Sequence, residues 1–164
     1  ASAINARAVV EIGTGCGVSG LWLLRGMRPD GTLTSVDVEP EHQRLARQSF
    51  AQAGFSGGRL RLITGRALDV LPRLSDGGYD LVFCDGAKHE YADYLAESVR
   101  LLRVGGIVVF DGAFWNHRVA DPAQRDPDTV AIRELGKLVR ADERLRPLMI
   151  PLGDGVLAAV KLGD

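Results

Sequence analysis

The chain has little cysteine, no excess of charge of either sign and no long apolar run, and each shortage removes a class of function. Its 164 residues hold two cysteines, Cys16 and Cys84, and three histidines. There is no CxxC pair and no His/Cys cluster, so nothing suggests a disulfide scaffold or a zinc site. The two thiols are expected to be free, one in a buried turn and one in a buried strand. Lys and Arg number 20 against 21 Asp and Glu, a formal charge of −1. That balance provides no field for nucleic acid or an anionic membrane, which leaves a small molecule as the default partner. No apolar stretch is long enough to span a bilayer and no signal peptide is visible, so a cytoplasmic protein is expected.

What the chain does contain is glycine, 20 residues of it, within a composition that is 46% hydrophobic and 25% charged. These are ordinary values for a globular protein, and the length suits one domain with its own core. Short β-branched runs alternate with helical stretches throughout. Strands are expected at Ala8 to Ile12, Leu33 to Val38, Leu60 to Thr64, Tyr79 to Cys84 and Ile107 to Phe110. Helices are expected at Val18 to Met27, Pro40 to Ala53, Ala67 to Leu74, Tyr91 to Leu102 and Thr129 to Ala141. Gly105-Gly106 is read as the break before the fifth strand. Leu148 to Leu152 and Val156 to Leu162 flank Gly153-Asp154-Gly155, the signal of a closing hairpin. Strands joined through helices require right-handed crossovers and a parallel sheet covered on both faces. The fold class is therefore α/β, a doubly wound and mostly parallel sheet with a C-terminal antiparallel hairpin.

In such sheets a ligand sits beyond the carboxyl ends of the strands, near the point where strand order reverses. The strongest signal there is Glu11-Ile-Gly13-Thr14-Gly15-Cys-Gly17-Val-Ser19. Glycines let the backbone turn sharply and approach a ligand, and the following helix offers unpaired N–H groups. Gly15-Cys-Gly17-Val-Ser-Gly20 also satisfies the G-x-G-x-x-G pattern of dinucleotide binders. Its register argues otherwise, because Gly13 already ends the strand and Gly15 comes two residues later. Glu11 would repel a pyrophosphate but favours a cationic ligand through its field. Asp37 ends strand two, where an acid can accept both ribose hydroxyls of an adenosine. Gly65-Arg-Ala67 follows strand three, where an adenine edge could meet backbone groups.

Glu11-Ile-Gly-Thr-Gly, Asp37, Gly65-x-Ala67-x-x-Val70-Leu71, Asp85-x-x-Lys88-x-x-Tyr91 and Asp111-x-x-x-Trp115-Asn116 occur in a distinctive order and spacing. With Asp121-Pro-Ala-x-Arg125-Asp-Pro and Pro151-Leu-Gly-Asp-Gly, they resemble the cation-dependent O-methyltransferases of the caffeoyl-CoA and catechol type, in their bacterial branch. The resemblance covers essentially the whole chain. It implies a Rossmann-like methyltransferase fold with seven strands, S-adenosylmethionine as cofactor, a small phenolic or catechol-like acceptor and a homodimer. It also implies that Glu11, Gly13, Thr14, Gly15 and Ser19 line the methionine end of the cofactor, that Asp37 holds the ribose and Ala67 the adenine, and that Asp85 borders the cofactor. Asp85 and Asp111 match metal ligands, Lys88 the general base, and Asn116 a substrate contact; Trp115, by its own chemistry, either stacks on a flat acceptor or packs in the core or an interface.

Two departures bear on chemistry. The family carries Asn after the strand-five Asp, as the third protein ligand of the cation, and here that position is Gly112. Many members have Asp where this chain has Ala87. Magnesium wants an oxygen octahedron but tolerates waters, so Asp85 and Asp111 could hold Mg²⁺ or another divalent ion only weakly. The helices that precede strand one in the family are also missing from residues 1–164, read here as a single domain. Two other readings stay open: a cofactor-binding protein that has lost catalysis, and a nicotinamide-dependent reductase. His89 and His117 are further candidates for a base if the metal is lost.

Overall fold

The computed structural model describes residues 1–164. The β-branched runs form strands β1 (Ala8–Ile12), β2 (Thr32–Asp37), β3 (Leu60–Thr64), β4 (Tyr79–Cys84), β5 (Leu102–Asp111), β6 (Leu145–Ile150) and β7 (Val156–Lys161). Between them lie helices α1 (Val18–Gly26), α2 (Pro40–Gln52), α3 (Ala67–Val70), α4 (Tyr91–Leu101) and α5 (Pro127–Ala141). Proline opens α2 and α5, where its missing N–H has no intrahelical partner to lose. Asp126 caps α5, its Oδ1 accepting from the Thr129 N–H at 3.0 Å and its Oδ2 from the Thr129 hydroxyl at 2.6 Å.

The seven strands form one sheet in the order β3-β2-β1-β4-β5-β7-β6, with β7 antiparallel to both neighbours. The chain winds outward from β1 to β3, then returns to lay β4 on the other side of β1. That reversal opens a crevice beyond the carboxyl ends of β1 and β4.

Strand periodicity sorts the side chains. Val10, Ile12, Val82, Cys84, Val108 and Phe110 face α3, α4 and α5 and belong to a core of 22 buried residues. Val9, Leu33 and Leu81 face α1 and α2 and join a second core of 8 buried residues that includes Leu24, Ala46 and Phe50. Glu11, Ser35 and Phe83 continue that second face in register. Its far half is not covered: Ile107, Val109, Ala158 and Val160 are only half-buried, and β6 is exposed after Leu145. Full cover on both faces is thus met on one face only, because no helix packs over β5, β7 and β6 on the α1 side.

Three local expectations need correction. The fifth strand starts at Leu102, not at Ile107. Tyr79 pairs with Leu102 and Leu81 with Ile107, and the residues between, Gly105 and Gly106 among them, are taken up as an irregularity of the ladder. The sixth strand starts at Leu145, because α5 ends at Ala141 and the chain turns at once. Cys16 is exposed rather than buried, whereas Cys84 is fully buried and burial pushes its thiol up to about 12.

Candidate active site

A cleft of about 370 Å³ opens at the switch point, lined among others by Gly13, Gly15, Asp37, His42, Ala67 and Asp85. It lies where the carboxyl ends of β1, β2 and β4 meet the turns that follow them. Gly13 is required by geometry. Its φ is +94°, and a Cβ there would lie 2.3 Å from the Asp85 carbonyl oxygen. The β1 turn and the β4 turn can therefore touch only through a residue without a side chain. Across the cleft, Asp37 Oδ2 accepts from the Gly15 N–H at 2.9 Å, and its Oδ1 accepts from the Glu39 N–H at 2.9 Å. His42, in the first turn of α2, brings Nδ1 to 3.3 Å from Asp37 Oδ2.

Beneath the glycine turn lies a buried polar network. Glu11 is fully buried, and its two carboxylate oxygens accept from the Ser19 and Ser35 hydroxyls, each at 2.5 Å. The Ser35 hydroxyl is also 2.6 Å from that of Thr14, which accepts from Gln43 Nε2 at 3.0 Å. Burial pushes the Glu11 carboxyl up to about 7, against the pull of the two serine hydroxyls; Asp85 and Asp37 add to the rise. Glu11 and Thr14 therefore support the turn from below and do not line the cleft. Gly13, Gly15, Asp37, Ala67 and Asp85 do line it.

A second cluster forms where β4 and β5 end. Lys88, with its side chain 11% exposed, places Nζ 3.1 Å from Asp85 Oδ1 and 2.5 Å from the Tyr91 hydroxyl. Tyr91 is buried, and its hydroxyl lies within bonding distance of the carbonyl oxygens of Cys84 at 3.2 Å and Asp111 at 3.0 Å. Asp111 enters the cluster through that carbonyl oxygen, which is also 3.4 Å from Lys88 Nζ. Gly112 follows with φ +73°, and a Cβ there would begin 3.4 Å from Lys88 Nζ. No group of three His, Cys, Asp or Glu side chains converges to hold a metal ion.

Trp115, Asn116 and His117 all have positive φ, at 49°, 52° and 65°. A left-handed run costs roughly 1–2 kcal/mol for each non-glycine residue, so it needs outside support. The β6–β7 turn supplies it. The Ala113 and Phe114 N–H groups donate to the carbonyls of Gly155 and Asp154, and the Asn116 N–H donates to Asp154 Oδ1 at 2.7 Å. The run carries Trp115 to the Lys88 cluster, its ring 5.5 Å from Nζ, a cation–π contact. Asn116, His89 and His117 are exposed.

Sequence reasoning missed Ser35, His42 and Gln43. Ser35 was within reach of it: a polar residue in an apolar strand, two before Asp37 and so on the same face. His42 was also within reach once Pro40 marks the first turn of α2. Gln43 was not, because its partners Thr14 and Ile63 are 29 and 20 residues away.

The fold and this crevice define a class of protein, and comparison with known proteins names the family. The chain matches the family model described as O-methyltransferase over residues 1–162. It is 58% identical over 155 residues to the Probable O-methyltransferase Rv1220c of Mycobacterium tuberculosis, covering 94% of this chain and 69% of that protein. Among solved structures, the O-methyltransferase TomG from Streptomyces achromogenes, in complex with SAM, superposes with a TM-score of 0.89 at 30% identity over 99% of this chain and 76% of TomG. Cofactor-bound Rv0187 from MTB gives 0.92 at 33% identity, over 99% and 76% of the two chains. The chain belongs to the O-methyltransferase family. No helix in it is long and apolar enough to cross a membrane.

Proposed function

We propose that the protein transfers the methyl group of S-adenosylmethionine to a hydroxyl oxygen of a small phenolic or catechol-like acceptor. The observation that carries this reading is Glu11, an acid fully buried directly beneath the glycine turn. With its carboxyl held at about 7 it ionises near neutral pH, and once ionised it would repel a pyrophosphate above it and attract a sulfonium. The crevice fits such a cofactor in volume and in chemistry, since Asp37 lines it and a side chain added at Gly15 would enter open space.

S-adenosylmethionine carries its own activated methyl group, so the chain has only to bind, orient and exclude water. Asp37 offers carboxylate oxygens to the ribose hydroxyls, and the backbone at Gly65 to Ala67 offers an edge to the adenine. Gly13 and Gly15 let the main chain approach the methionine portion. Glu11, Thr14 and Ser19 hold the turn in place and supply the field. Asp85 stands between the two clusters, contacting Lys88. Trp115, on its left-handed run, presents a flat face to an aromatic acceptor, with Asn116 at the rim. Holding the acceptor oxygen about 3–3.5 Å from the methyl carbon and in line is itself worth much of the barrier.

Calorimetry is the first test: heat with S-adenosylmethionine and S-adenosylhomocysteine and none with NAD⁺ is expected. Heat with NAD⁺ alone would overturn the reading. Transfer of labelled methyl to a panel of phenols and catechols is the second. Binding without transfer would identify a cofactor-binding protein, the alternative that Gly112 favours.

A further inference from the structure

The family resemblance implies a divalent cation between the ends of β4 and β5, and the residues present do not fit one. Gly112 has no side-chain oxygen to offer, and its carbonyl accepts from the Trp115 N–H. No third acidic or histidine side chain joins Asp85 and Asp111, and Asp85 Oδ1 is already engaged by the Lys88 ammonium at 3.1 Å. A hard cation needs several oxygen ligands, and here it would also sit beside a positive charge. We propose that the Lys88 ammonium is itself the resident cation of this site, with Gly112 as the residue that makes room for it, and that it anchors the acceptor as an oxyanion. This rests on the methyltransferase reading above.

The geometry supports the assignment from several sides. Lysine has three N–H donors and no acceptor. Two are committed, to Asp85 Oδ1 at 3.1 Å and the Tyr91 hydroxyl at 2.5 Å. The third has only a long contact to the Asp111 carbonyl at 3.4 Å, which leaves it able to serve a better acceptor. Tyr91 can take the lysine proton's hydrogen bond because its own O–H has backbone carbonyls to donate to. Trp115 closes one side at 5.5 Å from Nζ, positioning an aromatic ring beside the ammonium. A Cβ at 112 would begin 3.4 Å from Nζ, at the near edge of ordinary contact, so any longer side chain would compete with Lys88 for this space, and it would do so from a φ of +73° that L side chains rarely adopt.

In this scheme the acceptor hydroxyl gives its proton to water and binds as an oxyanion against Lys88. The oxygen then forms its bond to the methyl carbon as the carbon–sulfur bond breaks, and the electron pair of that bond stays on sulfur. The sulfonium becomes a neutral thioether, the acceptor a neutral ether, and Lys88 keeps its protons throughout. Lys88 is then an anchor for negative charge, and the preferred acceptors are acidic phenols.

Manganese binding, followed by the loss of the free-ion electron paramagnetic resonance signal, tests the cation without any turnover. The native protein is expected to bind Mn²⁺ no more tightly than about 1 mM, and the Lys88→Met/Gly112→Asn double variant at least about tenfold more tightly than native. Tighter binding by native protein, or no gain in the double variant, would overturn the proposal. Lys88→Arg tests the anchor, because a guanidinium keeps the charge but cannot act as a base. It should retain methyl transfer within about tenfold and be insensitive to EDTA, with Lys88→Met far lower. A Lys88→Arg as inactive as Lys88→Met, with cofactor heat intact as proof of folding, would refute it. If no acceptor is methylated by any form, the function reading fails, while the manganese result still decides the cation.

Discussion

At the scale of single residues, Gly13 and Glu11 carry the most information. Gly13→Ala would push a Cβ to within 2.3 Å of a backbone carbonyl at a φ of +94°. Neither side can yield without parting β1 from β4, so a loss of about 2–4 kcal/mol in urea unfolding is expected, together with loss of cofactor heat. Glu11 makes a pH prediction with a definite sign. Its carboxyl is held at about 7 in the folded chain against 4.5 when unfolded. The folded state therefore binds the proton more tightly, so this contribution is full below pH 4.5 and is lost as pH rises through 7. The expected loss is about 3 kcal/mol, and Glu11→Gln, which cannot ionise, should lack it. Unfolding of both proteins between pH 4 and 8 measures the difference, and parallel curves would refute the burial argument. Gly13 and Glu11 could be singled out from the sequence because both lie in one nine-residue turn. That Glu11 supports the turn instead of lining the cleft could not, since Ser35 comes from another strand.

At the scale of elements, the notable device is the left-handed run Trp115 to His117 and its clamp, the β6–β7 turn. Asp154 contributes both its carbonyl, to Phe114, and its carboxylate, to the Asn116 N–H. Asp154→Ala should therefore release the run while leaving the switch-point crevice untouched. The expectation is a raised KM for the acceptor with cofactor affinity unchanged, and a stability loss of about 1–2 kcal/mol. Equal weakening of both would show that the loop also closes over the cofactor. The hairpin itself was legible from Gly153-Asp154-Gly155, and most helices and strands from their periodicity. Its clamping role was not, because nothing in local sequence pairs residue 116 with residue 154. The early start of β5 was hidden for a similar reason. Gly105-Gly106 reads locally as a break, but β4 supplies a ladder that carries the strand past it.

At the scale of the whole molecule, ligand linkage gives the simplest test. A cofactor that binds only the folded chain, at a hundred times its Kd, adds about 2.7 kcal/mol. For a chain of this size the melting temperature should rise by roughly 5–10 °C with S-adenosylmethionine, as read by calorimetry, and not with NAD⁺. By itself the sequence determined the α/β alternation and the glycine turn that borders the crevice, because these follow from periodicity and glycine stereochemistry. It also raised doubt about the metal through Gly112, a side chain missing from one position. What occupies that place only the tertiary structure decided. Lys88 leaves β4 three residues after Asp85, yet it reaches Gly112, Asp111 and Trp115 because β4 and β5 lie side by side in the sheet. Proximity across strands is fixed by hydrogen-bonded register and packing, which no local stretch of the chain encodes.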